Sequence, residues 1–288
     1  MTPMNGKPKR LYVSDLDGTL LDARAKLSVF TRTALGRLLE SGVDFTVATA
    51  RSVQAVRSIL GDLPLRLPIV EQNGACVTDL VSGRHLLVNE LLSAVGGRVL
   101  DAFRGAGAEA IVACIDGGVD CVVFEAPRNV GTAWYIEEKR LAADPRLRPT
   151  HHVASAIGAA QLLSVTTLAP EAIARPLFAA LSQELAGLVQ LRLAHHLYVP
   201  GWWELSVLDA RATKASSIAW LRSALGSVDA ELVVFGDGEN DIDMFRAADV
   251  SVAVANSAAE LLALATHVAG DHRDDGVARW LLGQHDAA

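Results

Sequence analysis

Residues 10–69 alternate short β-rich runs with helical stretches, and the pattern returns from residue 214 to the end of the chain. The first block reads as strand LYVSDL, a helix from Val29 to Glu40, strand VDFTVAT, a helix from Val53 to Leu60, and strand LPIVE. The second reads as a helix from Lys214 to Leu225, strand ELVVF, a helix after Asn240, strand VSVAV and another helix. It closes on a terminal helix in DDGVARWLLGQ, with acids at its start where the dipole favours them. A parallel strand needs a long crossover to return to the same end of a sheet, so this alternation predicts βαβ units in an α/β body.

The middle has another grammar. AIVACI-DGG-VDCVVFE sets two β-rich runs around Asp-Gly-Gly, a hairpin signal. A helix comes next from Val130 to Leu141, then the Pro-rich link DPRLRPT, strand LLSVTTL and a helix from Glu171 to Leu185. Two more runs, VQLRLAHHLYV and WWELSVL, are split by Pro-Gly. Hairpin-joined strands suit an antiparallel sheet. Residues 84–198 are therefore expected to form an α+β unit inserted into a doubly wound parallel-sheet core made of 1–83 and 199–288.

A chain of 288 residues can bury two hydrophobic cores, and 51% apolar with 20% charged residues excludes disorder. The net charge of −7, with no basic stripe, argues against a nucleic-acid partner. The three cysteines, Cys76, Cys114 and Cys121, form no CxxC pair and have no nearby histidine at zinc spacing. Such a set suits a reducing compartment, with buried thiols acting as small hydrophobes. MTPMNGKPKR is basic, but the apolar run after it is too short and too acidic for a signal segment. The most lipid-like window, Val250 to Gly270, carries Asn256, Glu260 and His267 and reads as strand–turn–helix–strand. A cytoplasmic protein without a membrane partner is expected.

Chemistry gathers at strand ends. Asp15 and Asp17 end the first strand, although adjacent carboxylates repel. Thr49 ends VDFTVAT, Lys214 opens a helix, and FGDGENDIDMF supplies Asp237 and Asp241 after ELVVF. In an open parallel sheet ligands sit at the carboxyl ends of strands, so these groups can converge. Clustered oxygen ligands suit Mg²⁺, whose charge relieves the repulsion. One carboxylate can then attack phosphorus, a second can shuttle the proton, and the lysine and hydroxyl can clamp the phosphoryl oxygens. A calcium loop fails, because the sixth residue is Leu20 counting from Asp15 and Ile242 counting from Asp237, where glycine is needed. GDGEND imitates a dinucleotide loop, but Asp241 at its last position would repel a pyrophosphate.

DLDGT, Thr49, Lys214 and GDGENDIDM, in that order, resemble the four motifs of the haloacid dehalogenase-like (HAD) phosphohydrolase superfamily. The resemblance is closest to its Cof-like group, which also shows the Asn73-Gly74-Ala75 turn, the Val254–Ser257 loop containing Asn256, and the Asp275–Ala278 start of the last helix. It implies a Rossmann-like core with an α/β cap inserted between the second and third motifs. It further implies Asp15 as nucleophile and Asp17 as general acid/base. Mg²⁺ would be held by Asp15, the backbone carbonyl of Asp17 and Asp237, with Asp241 supporting the metal shell. Thr49, Lys214 and Asn240 would bind phosphate, and the substrate would be a small phosphorylated metabolite. Asp17 favours ester hydrolysis or a mutase, and a non-catalytic phosphometabolite-binding regulator is a third possibility. Ala50, Ala212 and Ala215 stand where the family often carries glycine.

Other residues take plainer readings. Arg51 reads as a surface charge at a helix start. His151-His152 and His195-His196 lack helical i, i+4 spacing and read as surface or partly buried histidines. Trp202 and Trp203, beside the return from the insert, read as packing residues.

Overall fold

The computed structural model of the chain describes residues 9–196 and 199–286. Most of the basic N-terminal stretch, and the Tyr198 end of the expected insert, lie outside the described residues. In chain order the elements are β1 (Arg10–Ser14), α1 (Val29–Glu40), β2 (Asp44–Val47), α2 (Val53–Leu60), β3 (Ile69–Glu71), β4 (Cys76–Thr78) and β5 (His85–Val88). Next come α3 (Ser93–Gly105), β6 (Ile111–Asp116), β7 (Val119–Glu125), α4 (Val130–Leu141), β8 (Leu147–Thr150), α5 (Val153–Ala156), β9 (Gln161–Pro170), α6 (Glu171–Glu184), β10 (Val189–His195) and β11 (Trp202–Asp209). The chain closes with α7 (Lys214–Ala224), β12 (Glu231–Gly236), α8 (Ile242–Ala247), β13 (Val250–Val254), α9 (Ala259–Leu264), β14 (His267–Ala269) and α10 (Gly276–Asp286).

Two compact units result: Met1–Leu87 with Thr213–Ala288, and Val88–Ala212. In the first, five parallel strands run in the order β14-β13-β12-β1-β2. A bridge from Ala48 to Val70 brings in the small sheet β3-β4-β5 beyond β2. Strand order reverses between β1 and β12, because the chain leaves β1 toward β2 and leaves β12 toward β13. The two-residue period of a strand sends Tyr12, Val233 and Phe235 into one apolar layer, and Leu11, Val13, Leu232 and Val234 into the other. Both faces are thereby covered, which is why ELVVF reads as a continuous apolar run. Helix starts are capped by side chains: Ser28 accepts the Thr31 amide at α1, and Thr213 accepts the Ser216 amide at α7.

The second unit is a six-stranded sheet, β10-β11-β9-β6-β7-β8, antiparallel except where β7 meets β8. Gly117 and Gly118, at φ of 56° and 83°, make the two-residue turn between β6 and β7 that Asp-Gly-Gly announces. α3 and α6 cover one apolar layer of this sheet. The bounds differ from those expected at residue 198. WWELSVL pairs along its length with both β9 and β10, and Leu205 and Val207 join that apolar layer. An interior strand cannot leave its sheet without orphaning its ladder, so the unit runs on to Ala212. No helix of the described residues is long and apolar enough to cross a membrane.

Candidate active site

The candidate site is built at the carboxyl ends of β1 and β12, where strand order reverses. Asp15 comes directly after β1, its amide held by Phe235 O at 2.9 Å. Asp17 and Gly18 lie in the distorted turn Leu16–Leu20. Gly18 has φ of +75°, and a Cβ there would sit 2.4 Å from Asp237 Oδ2, so only glycine lets the turn approach the second acid. Asp237 comes directly after β12 and accepts the Thr19 hydroxyl at 2.7 Å. Lys214, the first residue of α7, is fully buried, and its Nζ donates to Asp15 Oδ1 at 2.5 Å and to Asp241 Oδ1 at 2.6 Å. The other Asp241 oxygen accepts the amides of Asp237 and Gly238, both at 3.0 Å. Asp241 therefore fixes the lysine and the Asp237 loop together.

Thr49 lies just past β2. Its hydroxyl accepts the Arg51 amide at 3.1 Å, and its carbonyl accepts the Asn73 amide at 2.9 Å. Asn240 donates from its side-chain amide to Asn73 Oδ1 at 3.2 Å. Gln72 and Asn73 both have positive φ, and Gly74 comes next at +95° with its carbonyl bound by Ser217. A Cβ on Gly74 would lie 2.2 Å from Thr213 O. The turn is thus pressed against the start of α7 and joins Thr49 to Asn240. Asn256 clamps the Asp15–Thr19 turn from outside, donating to Gly18 O at 2.8 Å while accepting the His272 amide at 3.0 Å.

Electrostatics are set by burial. Asp15 is pushed up to about 8, chiefly by burial and by its acidic neighbours, against the pull of Lys214. Asp237 is raised by burial and by Asp241, opposed by the Thr19 hydrogen bond. Burial alone would lower Lys214, but Asp15 and Asp241 raise it above the usual lysine range. Negative charge is thus crowded beyond what one lysine offsets. One oxygen each from Asp15, Asp237 and Asp241 lies within 4.8 Å of the others. An all-oxygen donor set with excess negative charge fits a hard divalent cation such as Mg²⁺. The Asp17 side chain lies outside that cluster.

Asp17 turns instead to Arg51. Nε donates to Asp17 Oδ2 at 2.7 Å and Nη2 to Oδ1 at 2.6 Å. Arg51, expected as a surface charge, is therefore part of the site; its place two residues after Thr49 was the available signal. The histidine pairs at 151–152 and 195–196 join neither of the two groups of potential metal ligands among the described residues. Trp202 packs against the buried cluster that contains Ile111, Phe124 and Leu168, and Trp203 lies under the Arg175 guanidinium at 4.4 Å.

Acids and a buried lysine at the reversal of a doubly wound parallel sheet define the class: an α/β protein whose candidate ligand site is at the ends of β1 and β12. Residues 12–281 match the haloacid dehalogenase-like hydrolase family, and the chain belongs to it. It is similar to the 5-amino-6-(5-phospho-D-ribitylamino)uracil phosphatase YwtE of Bacillus subtilis, 22% identical over 285 residues that cover 93% of this chain and 95% of that protein. It is also similar to the pyridoxal phosphate phosphatase YbhA of Escherichia coli, 25% identical over 280 residues, 94% of this chain and 97% of that one. Among solved structures, a haloacid dehalogenase-like hydrolase from Bacteroides thetaiotaomicron superposes with a TM-score of 0.78 at 23% identity, covering 94% of this chain and 97% of that chain. The chain is an enzyme of the hydrolase class with the expected α/β fold.

Proposed function

We propose that the protein is a Mg²⁺-dependent phosphatase that hydrolyses small phosphorylated metabolites through an aspartyl-phosphate. The observation that carries this reading is Lys214 bonded to both Asp15 and Asp241, which joins three motifs far apart in the chain. Asp15 is the nucleophile: its oxygen forms a bond to phosphorus as the phosphorus–alcohol bond breaks. Asp17 delivers its proton to the departing alkoxide, then takes one from the water that attacks the aspartyl-phosphate. Phosphate leaves and the Asp15 carboxylate is restored. Lys214 and the Thr49 hydroxyl hold the phosphoryl oxygens, and Asn240, steadied by Asn73, orients them.

Asp15, the Asp17 carbonyl and Asp237 would hold the cation, with Asp241 behind them. Bound there, Mg²⁺ supplies positive charge that keeps Asp15 ionised and balances the phosphoryl group. The relatives named for their substrates act on a phosphorylated ribitylaminouracil and on pyridoxal phosphate, which supports a small phosphate monoester here too. The inserted unit, residues 88–212, is assigned substrate selection, as a cap, and a reducing cytoplasm is the expected compartment.

Phosphate release from a panel of phosphorylated metabolites, with and without Mg²⁺, tests the proposal. Release that needs Mg²⁺ and vanishes in Asp15→Asn is expected. Equal activity of Asp15→Asn and the wild type would overturn the nucleophile. Little free phosphate, with turnover dependent on a bisphosphate activator, would make the enzyme a mutase.

A further inference from the structure

A second group of potential metal ligands lies in the small sheet β3-β4-β5, outside the acids of the active site. Glu71 and Cys76 are directly opposite in the antiparallel pairing of β3 with β4, so their side chains share one face. His85, at the start of β5, completes the group, and one ligand atom from each residue lies within 4.8 Å of the others. Glu71 and Cys76 are fully buried, and the His85 side chain is only 13% exposed.

The local bonds explain part of this arrangement. Glu71 Oε2 accepts the Val53 amide in the first turn of α2, where the Ser52 side chain makes no capping bond. Its Oε1 accepts the Thr78 hydroxyl, and Thr78 Oγ1 also meets His85 Nδ1 at 2.8 Å. Capping α2 needs only Oε2. It does not require an imidazole 3.5 Å from Oε1, nor a thiol on the same face. In a tetrahedral zinc centre, bonds of about 2.0–2.3 Å set neighbouring donor atoms about 3.5 Å apart. Oε1 and the imidazole already stand at that separation.

We propose that Glu71, Cys76 and His85 bind a late first-row divalent ion, Zn²⁺ being the natural occupant. A thiolate and an imidazole select such an ion over Mg²⁺, which keeps to the all-oxygen site. Binding releases the Cys76 thiol proton to solvent, so carboxylate, thiolate and dication sum to zero charge in a buried place. Glu71 Oε2 stays on Val53, and Thr78 gives up its contact with His85 Nδ1, whose lone pair goes to the ion, but keeps its bond to Glu71 Oε1 as the outer partner that orients the carboxylate. The ion would brace the strand that runs into Gln72 and Asn73, next to Thr49. The linear spacing hides this centre, because its ligands come from three short strands without a CxxC or helical pair.

The test uses the full chain, stripped with chelator, reduced, and kept in excess Mg²⁺, then titrated with Co²⁺. A near-ultraviolet thiolate-to-cobalt charge-transfer band that saturates with a single ion is expected. The band should survive the double substitution Cys114→Ala with Cys121→Ala and also Asp237→Asn, and should vanish in Cys76→Ala. Zn²⁺ should displace the Co²⁺, and Cys76→Ser should weaken Zn²⁺ binding by at least about tenfold. Cobalt uptake without a thiolate band, a band that persists in Cys76→Ala, or no uptake by the wild type would each overturn the proposal. Because the wild-type spectrum is itself decisive, a variant that fails to fold does not protect the idea.

Discussion

Arg51 grips Asp17 with both prongs of its guanidinium, so each carboxylate oxygen of the proposed acid/base has an N–H donor at 2.6–2.7 Å. A fork of this kind fixes the plane of the carboxyl group as well as its position. Asp17 is 49% exposed, so without Arg51 little else would hold it. Proton delivery matters most when the leaving alcohol is poor. Arg51→Ala should therefore lower kcat about tenfold on alkyl phosphates, as a fraction of the 10²–10⁴ that acid catalysis supplies. It should barely change turnover of an aryl phosphate with a good leaving group. Arg51→Lys should rescue only partly, since an ammonium cannot bridge both oxygens. Equal losses on both substrate types would mean that Arg51 contributes binding or folding rather than proton transfer.

The buried lysine predicts a stability effect. Lys214 is the shared cationic partner of Asp15 and Asp241, and all three side chains are nearly or wholly out of water. In the metal-free protein Asp15 keeps its proton at neutral pH, so removing the lysine strands the buried Asp241 carboxylate without its cation, at a cost of about 3–5 kcal/mol. Lys214→Met should show that loss by denaturant unfolding in metal-free buffer. Added Mg²⁺ should recover part of it. A variant as stable as the wild type without metal would show that the acids do not carry the charge assigned to them.

How much of this is legible in the sequence depends on where each partner is encoded. Asp15, Lys214 and Asp237 stand at strand ends or a helix start, and topology alone brings such positions together, so their meeting was legible; Thr49 reaches Asn240 only through the Asn73 turn. Arg51 could not be paired with Asp17 from spacing, because the pairing depends on the fold of the Leu16–Leu20 turn. Trp202–Asp209 was legible as a strand but not as a member of one sheet: its alternation fits either neighbour, and only the ladders to β9 and β10 decide. The Asn73-Gly74-Ala75 turn was legible as a turn, while the positive φ at Gln72 and the bridge from Thr49 to Asn240 are tertiary.

Gly18 should tolerate no side chain. L-residues in the left-handed region cost about 1–2 kcal/mol, and the added carbon would also strike Asp237 at 2.4 Å. Gly18→Ala should fold, since Leu16 and Leu20 keep the turn anchored in the apolar layer around Tyr12 and Phe235, but Asp237 must move. The apparent affinity for Mg²⁺, read from activation curves or calorimetry, should weaken by at least about tenfold, which corresponds to about 1.4 kcal/mol. An unchanged Mg²⁺ midpoint would argue that Asp237 is not a ligand.

The raised Asp15 carboxyl sets a pH dependence with a definite sign. In the folded protein without metal it holds its proton up to about pH 8. In the unfolded chain an aspartate releases its proton near about pH 4. Between those values the folded state binds more protons than the unfolded state, so stability falls as pH rises through the window. Below it the group is protonated in both states and contributes no slope. Lys214, raised above the usual lysine range, is charged in both states throughout the window and does not alter the sign. Metal-free wild type should therefore lose stability across that window, beyond the slope shown by Asp15→Asn, and Asp15→Asn should be the more stable protein at neutral pH. Mg²⁺ should flatten the wild-type curve by favouring the ionised carboxylate, and should do less for the variant. Urea unfolding at a series of pH values, with and without Mg²⁺, gives both slopes; parallel metal-free curves for the two proteins would remove Asp15 as the titrating group.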